Sequence, residues 1–96
     1  HLSPEVAEYA VRITAATRGH ADLRLGASPR GTLALVRGAQ GIAYLRGKDY
    51  VTPDMVKVMA SPVLEHRLIV RPQAAAMGQN AHGILKAILD QLPPPV

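Results

Sequence analysis

The stretch SPRGTLALVRGAQGIAYLRG, Ser28 to Gly47, decides the fold of this chain. Ser28 followed by Pro29 is typical of a helix start, because a serine hydroxyl caps free backbone N–H groups and proline at the first helical position has no N–H to lose. We predict a helix from Pro29 to Arg46, closed by Gly47. Its apolar face is broad, as in the central helix of a bundle, and contains Leu33, Leu35, Val36, Ala39, Ile42 and Ala43.

Small residues mark the other side of this helix, at Gly31, Gly38 and Gly41. Each interior glycine destabilises a helix by roughly 1 kcal/mol relative to alanine. We therefore expect another part of the chain to pack closely against that side.

The same hydroxyl–proline signal precedes two more helices, at Ser3-Pro4 and Thr52-Pro53. The predicted helices cover residues 4–18, 29–46, 53–61 and about 80–91, and the third ends at Ser61-Pro62 or adds one short turn through Glu65. The apolar stripe of the first helix contains Val6, Tyr9, Ala10, Ile13, Ala16 and Thr17. The apolar residues of the third are Met55, Val56, Val58 and Met59, and the last buries Ile84, Leu85, Ile88 and Leu89.

Two connecting segments are not helical in this interpretation. His66 to Val70 is predicted as a short strand that pairs with Leu23 to Leu25, and Arg71 to Gln79 as a loop. The expected fold class is therefore all-α: a small bundle of about four helices with one very short two-stranded pairing, in one domain spanning residues 1–96. The low aromatic content, 3%, favours helices packed on helices over a β-sandwich.

The composition excludes several classes of protein. A hydrophobic content of 48% is that of a chain with a core, and without cysteine there are no disulfides and no thiolate chemistry. No apolar run approaches the ~20 residues of a membrane span, and no signal peptide is visible. We expect a cytoplasmic location and, because the sequence starts at His1, a piece of a longer chain.

Motifs for catalysis or metal binding are missing from the sequence. It contains neither GxSxG nor the phosphate-binding GxxxxGK[ST]. His1, His20, His66 and His82 have no HxxxH or HxxH spacing. We therefore expect no catalytic residue and no metal site within this chain.

Arg30 is at odds with the helix that contains it. It falls in the predicted first turn, where the helix macrodipole favours acidic side chains over cations. Two interpretations remain open on physical grounds. The side chain points into solvent at a small penalty, or Arg30 and the free N–H groups of the helix start bind a shared anion, for which phosphate is the natural candidate.

Four segments resemble, in order and spacing, the C-terminal lid domain of MoxR-type AAA+ ATPases, a small helical bundle. They are TRGH (17–20), LGASPR (25–30), LRGKDYVTPDMV (45–56) and VLEHRL (63–68), and the resemblance covers most of the chain. It implies that Arg30, the arginine of GASPR, is the sensor-2 residue, which reaches from the lid to the terminal phosphates of the nucleotide. Gly31 departs from the family pattern, where alanine or serine is usual, and should weaken the helix start slightly.

The resemblance also implies cofactors and partners. ATP and Mg²⁺ would be bound mainly by an upstream core domain, which holds the phosphate-binding loop, the acidic residues for Mg²⁺ and the arginine finger. The partners would be that core domain, the neighbouring subunits of a hexameric ring and an unidentified client, with chaperone-like remodelling or metal-cofactor maturation as the task. The isolated lid would be inactive, and no nucleic acid would be bound.

Other basic residues keep two interpretations each. Arg37, two turns from Arg30 on the same stripe, meets nucleotide or a neighbouring subunit, or is solvated. Arg18 serves a domain interface, or is a favourable cation near a helix C-terminus. His66 and Arg67 are candidates for hydrogen bonds between elements of the lid.

The alternative function is a free-standing basic helical module that binds nucleic acid or protein. A net charge of +4 and a pI of about 10.0 support it. The third helix, however, exposes mainly Asp54 and Lys57, which are poor material for reading base edges.

Overall fold

The helices lie close to where the sequence predicts them. A computed structural model describes residues 1–95 and leaves Val96 outside the described part of the chain. The elements, in order, are α1 (Pro4–Arg18), β1 (Leu23–Leu25), α2 (Pro29–Leu45), α3 (Pro53–Leu64), a 3₁₀ turn (Glu65–Arg67), β2 (Ile69–Val70), α4 (Pro72–Ala76) and α5 (Ala81–Gln91). The all-α class with a very short strand pair is confirmed, with five helices among the described residues rather than about four.

Polar side chains cap the starts of four of these helices, three of them at the predicted hydroxyl–proline pairs and the fourth at Asn80, whose cap was not predicted. The caps are Ser3, Ser28, Thr52 and Asn80, and each accepts a hydrogen bond from the backbone N–H three residues later. Because each cap satisfies a donor that has no partner within its helix, the four starts are fixed locally.

Helix α2 packs against both α1 and α3, which confirms its predicted central place. Leu35 and Ala39 are fully buried, and Ala43 is 4% exposed. Leu33 was expected in the core and is 49% exposed, which corrects the predicted face. It lies at the edge of an apolar groove of about 420 Å³ between α1 and α2, together with Val11 and Val36.

Close packing is found at two of the three glycines of α2. A Cβ atom at Gly38 would lie 2.9 Å from Cε of Met59, and one at Gly31 would lie 3.2 Å from Cβ of Ala27. At Gly41 no atom lies within 4 Å of that position, so the prediction is wrong there.

Helix α3 continues through Pro62 to Leu64, which favours the predicted extra turn over an end at Ser61-Pro62. A proline inside a helix removes the hydrogen bond to the carbonyl four residues earlier, here that of Val58. Val58 is 56% exposed and Pro62 is also exposed, so that carbonyl lies on the solvent side of the helix, where water can replace the lost donor. The helix then tightens into the 3₁₀ turn at Glu65–Arg67.

The segment that follows contains both a confirmed and a corrected prediction. β2 pairs antiparallel with β1 as predicted, with Leu23 opposite Val70 and Leu25 opposite Ile69. The strand is shorter than the predicted His66 to Val70, because His66 and Arg67 belong to the 3₁₀ turn that continues from α3. The predicted loop after it contains the short helix α4, which buries Ala74. Helix α5 then buries all four residues expected of it. No helix within residues 1–95 has the length and apolar character needed to cross a bilayer.

Candidate functional site

Arg30 lies exposed in the first turn of α2, and that turn holds no acidic residue. Among residues 1–95, its guanidinium forms no ion pair and no hydrogen bond. The other basic groups near it are used differently, because Arg18 and Arg67 donate to backbone carbonyls. The structure therefore leaves the Arg30 cation available to a partner outside the described chain.

The backbone around Arg30 is partly satisfied within the helix start. Ser28 receives the N–H groups of Gly31 and Thr32 at its carbonyl oxygen, at 2.8 and 3.2 Å, and Gly31 also contacts its hydroxyl. The first turn of α2 contains no acidic side chain, so the positive end of the helix dipole lies beside the arginine with no carboxylate to neutralise it. An anion held there would meet two favourable fields at once.

The loop before Arg30 is held to α1 by two hydrogen bonds to one residue. The N–H of Ala27 donates to Oγ1 of Thr17 at 2.8 Å, and the guanidinium of Arg18 donates to the carbonyl of Ala27, also at 2.8 Å. We call these two bonds the Ala27 anchor. Ala27 is fully buried, so its backbone groups have no water to replace either partner.

The neighbours of Ala27 tighten the same junction. A Cβ atom at Gly26 would lie 2.5 Å from the backbone nitrogen of Arg18, so only glycine fits against the last turn of α1. One turn into α2, the Thr32 hydroxyl lies 2.7 Å from that of Thr14 on α1. The start of α2 is therefore fixed to α1 on both sides of Arg30.

The sequence did not reveal this junction. Thr17 was placed on the apolar stripe of α1 and is indeed fully buried, but its role as a hydrogen-bond acceptor for Ala27 was not predicted. Arg18 was expected at a domain interface or as a dipole partner, and the structure adds a bond to Ala27. One signal could have pointed to it. TRGH and LGASPR, which contain Arg18 and Ala27, are both segments that resemble the MoxR-type lid.

The segment VLEHRL also meets the start of α2. Cδ2 of Leu64 lies 3.4 Å from the position a Cβ would take at Gly31, and Cδ of Arg67 lies 3.8 Å from it. Nε of Arg67 donates to the carbonyl of Val63 at 3.1 Å. His66 is exposed and lines a different groove. Arg37 is exposed on α2, and its interaction with nucleotide or a neighbour stays a prediction.

A second polar cluster lies between the end of α3 and the start of α5. The Ser61 hydroxyl donates to the Glu65 carboxylate, and Nδ1 of His82 lies 3.2 Å from the hydroxyl and 3.1 Å from the carboxylate. The Ser61 hydrogen bond, followed by that of His82, holds the pKa of the Glu65 carboxyl below its ordinary value. Since serine and carboxylate contact the same ring nitrogen, the imidazole does not relay a proton between them.

Comparison with known proteins gives a consistent result. The family described as AAA lid domain matches residues 15–88 of the chain. The uncharacterized protein YeaC of Bacillus subtilis is 40% identical over 91 residues, which cover 95% of this chain and 28% of that protein. Chaperone MoxR1 of Mycobacterium tuberculosis is 38% identical over 78 residues, covering 72% of this chain and 21% of that protein.

A further relative and a solved structure extend the comparison to the whole chain. Protein MoxR of Paracoccus denitrificans is 30% identical over an alignment 103 positions long, which covers 94% of this chain and 30% of that protein. The crystal structure of a possible ATPase from Cytophaga hutchinsonii superposes with a TM-score of 0.92 at 29% identity, over 99% of this chain and 32% of that one. The chain thus spans less than a third of the length of these relatives.

Proposed function

This chain belongs to the AAA lid domain family, as the C-terminal lid of a MoxR-family AAA+ ATPase, and we propose that its Arg30 is the sensor-2 residue of that ATPase. In this proposal Arg30 binds the terminal phosphates of ATP held by the core domain. Its guanidinium stabilises negative charge on those phosphates and links the position of the lid to the nucleotide state.

The observation that supports this role most strongly is an unpaired cation at a helix start that is packed and hydrogen-bonded against α1. Arg30 is exposed and has no partner among residues 1–95, whereas Ala27 before it is buried and hydrogen-bonded to α1, and Gly31 after it is buried. A planar guanidinium forms bidentate contacts with phosphate oxygens, which suits a task at the end of a triphosphate. The adjacent helix N-terminus adds a field of the same sign.

The residues of the lid fit a phosphate group but not the metal that accompanies it. No group of three or more His, Cys, Asp or Glu residues in the described part of the chain could hold a metal ion. Any Mg²⁺ would therefore be bound by the core domain, together with most of the ATP. Within the lid, Arg30 orients and neutralises the phosphate end and does nothing further to the reaction.

The assembly and the task of the whole protein are part of the proposal. One relative carries the name chaperone MoxR1, which supports client remodelling as the use of ATP hydrolysis. We place the lid between its own core domain and a neighbouring subunit of a hexameric ring, in the cytoplasm. Metal-cofactor maturation is one form that this remodelling could take.

Steady-state ATP hydrolysis by the full-length ATPase tests the role of Arg30. We expect Arg30→Ala to lower kcat by at least about tenfold, because loss of one preorganised donor to developing charge has a cost of that order or larger. Arg12→Ala is the matched control, since Arg12 is an exposed arginine of α1 that forms a surface ion pair with Glu8. Turnover by Arg30→Ala equal to that of the control would contradict the proposal.

A further inference from the structure

We propose that Thr17 and Arg18 are positioning residues that act on the nucleotide through Arg30, by means of the Ala27 anchor. This inference rests on the proposed role of Arg30 and adds the device that aims it. Neither residue touches nucleotide in this proposal. They set where the first turn of α2 lies, and therefore where the Arg30 guanidinium reaches.

The Thr17 hydroxyl is directional. It donates to the carbonyl of Thr14 at 2.6 Å, which commits its hydrogen and leaves an oxygen lone pair for the N–H of Ala27. Thr17 is fully buried, so no water competes for either bond. The hydroxyl therefore holds Ala27 at one distance and in one direction relative to α1.

The Arg18 guanidinium holds the opposite edge of the same residue. It donates to the carbonyl of Ala27, while Thr17 accepts from the N–H, so both backbone groups of Ala27 are tied to consecutive residues of α1. Ala27 stands three residues before Arg30 in the chain. A displacement of Ala27 would therefore also displace the first turn of α2, which contains Arg30.

The anchor is made of polar contacts, which add direction to the close packing of Gly26 against α1. Next to it the surfaces of α1 and α2 diverge into the apolar groove, where Val11 and Leu33 are each 49% exposed. Contacts of that kind are non-directional and tolerate small shifts. Hydrogen bonds at 2.8 Å are directional, so Thr17 and Arg18 fix the orientation of Ala27 at a junction that Gly26 already holds close to α1.

A double-mutant cycle in the full-length ATPase tests the inference. The single variants are Thr17→Val, Arg18→Gln and Arg30→Ala, and each of the first two is combined with Arg30→Ala. Thr17→Ser keeps the hydroxyl and serves as the conservative rescue, and Arg12→Gln is the matched control on the same helix. The quantities measured are kcat and KM for ATP, with a thermal melt of each variant to confirm folding.

We expect Thr17→Val and Arg18→Gln each to lower kcat by about three- to tenfold, because a small misplacement of a catalytic group is costly. Thr17→Ser should recover most of the loss. In the Arg30→Ala background neither substitution should lower kcat further, because residues that act through one group are strongly non-additive. If Thr17→Val fails to fold, Arg18→Gln, which changes an exposed side chain, carries the test alone.

The failures of the two proposals are distinguishable. If Arg30→Ala lowers kcat and the anchor variants leave it unchanged, or lower it equally with and without Arg30, the positioning role is overturned and the sensor role stands. If Arg30→Ala itself leaves kcat unchanged, the sensor role fails, and the positioning role fails with it.

Discussion

Helices α2 and α3 begin with the same two-residue pattern and differ in the charge that follows it. Ser28-Pro29 and Thr52-Pro53 both place a hydroxyl cap before a proline, and the two cap hydrogen bonds are 3.4 and 3.3 Å long. The first turn of α3 then contains Asp54, which the helix dipole favours, whereas the first turn of α2 contains Arg30.

The segments leading into the two helices differ as well. Gly26 and Ala27 are pressed against α1, with no room for a Cβ at Gly26. Before α3 the chain turns at Gly47, with φ of +69° and open space around it, and residues 46–50 are exposed. The charge at the start of α3 therefore stabilises its own helix. The start of α2 carries an unfavourable charge next to a segment that is packed against α1.

The largest expected effect on stability comes from disrupting the contact between Gly26 and α1. Gly26→Ala should destabilise the 96-residue chain by about 3 kcal/mol, since the new Cβ would meet the backbone of α1 at 2.5 Å and a backbone cannot rotate away. Chemical denaturation gives the free energy of unfolding. Gly41→Ala is the control and should stabilise by up to about 1 kcal/mol, because nothing surrounds Gly41. Equal effects of the two substitutions would show that the junction is looser than the structure indicates.

A smaller effect tests whether the two caps are equivalent. Ser28→Ala and Thr52→Ala should each lower the free energy of unfolding by about 1 kcal/mol, because each removes the acceptor of one first-turn N–H group. Urea denaturation of both variants, side by side, checks this. A loss at Thr52 without one at Ser28 would mean that the Ala27 anchor alone fixes the start of α2.

The smallest effect concerns the charge itself. Arg30→Glu should raise the stability of the 96-residue chain by about 0.3–1 kcal/mol, and Asp54→Lys should lower it by a similar amount, because each reverses the sign of the charge beside a helix dipole. Thermal melts at low and high salt measure both changes, which should shrink in 1 M salt. A loss of stability in Arg30→Glu would mean that the arginine has a structural partner after all.

The sequence predicted the parts of the fold that depend on local chemistry. Helix starts follow from a hydroxyl beside a first turn, so Ser3, Ser28 and Thr52 were all placed within a residue or two. The apolar period of α5 identified its four buried residues, which form one stripe at helical spacing.

What the sequence missed depends on neighbours. A helical wheel gives the direction of the apolar face but not its width, so Leu33 was predicted buried although α1 does not reach over it. The sequence left open whether α3 ends at Ser61-Pro62 or adds a turn through Glu65, because local rules cannot tell which carbonyls face water. The Ala27 anchor joins residues nine and ten positions apart through backbone atoms, which no side-chain pattern records.

The length of helix α2 has a further consequence for movement of the lid. Arg30 stands near one end, and Tyr44 and Leu45, each 83% exposed, stand at the other. At 1.5 Å per residue the two ends are about 22 Å apart, so a 10° rotation of the lid about Arg30 displaces the far end by about 4 Å. If Arg30 binds phosphate as proposed, a rotation of the lid too small to break the Ala27 anchor would still displace the exposed Tyr44 end of α2 by several ångströms.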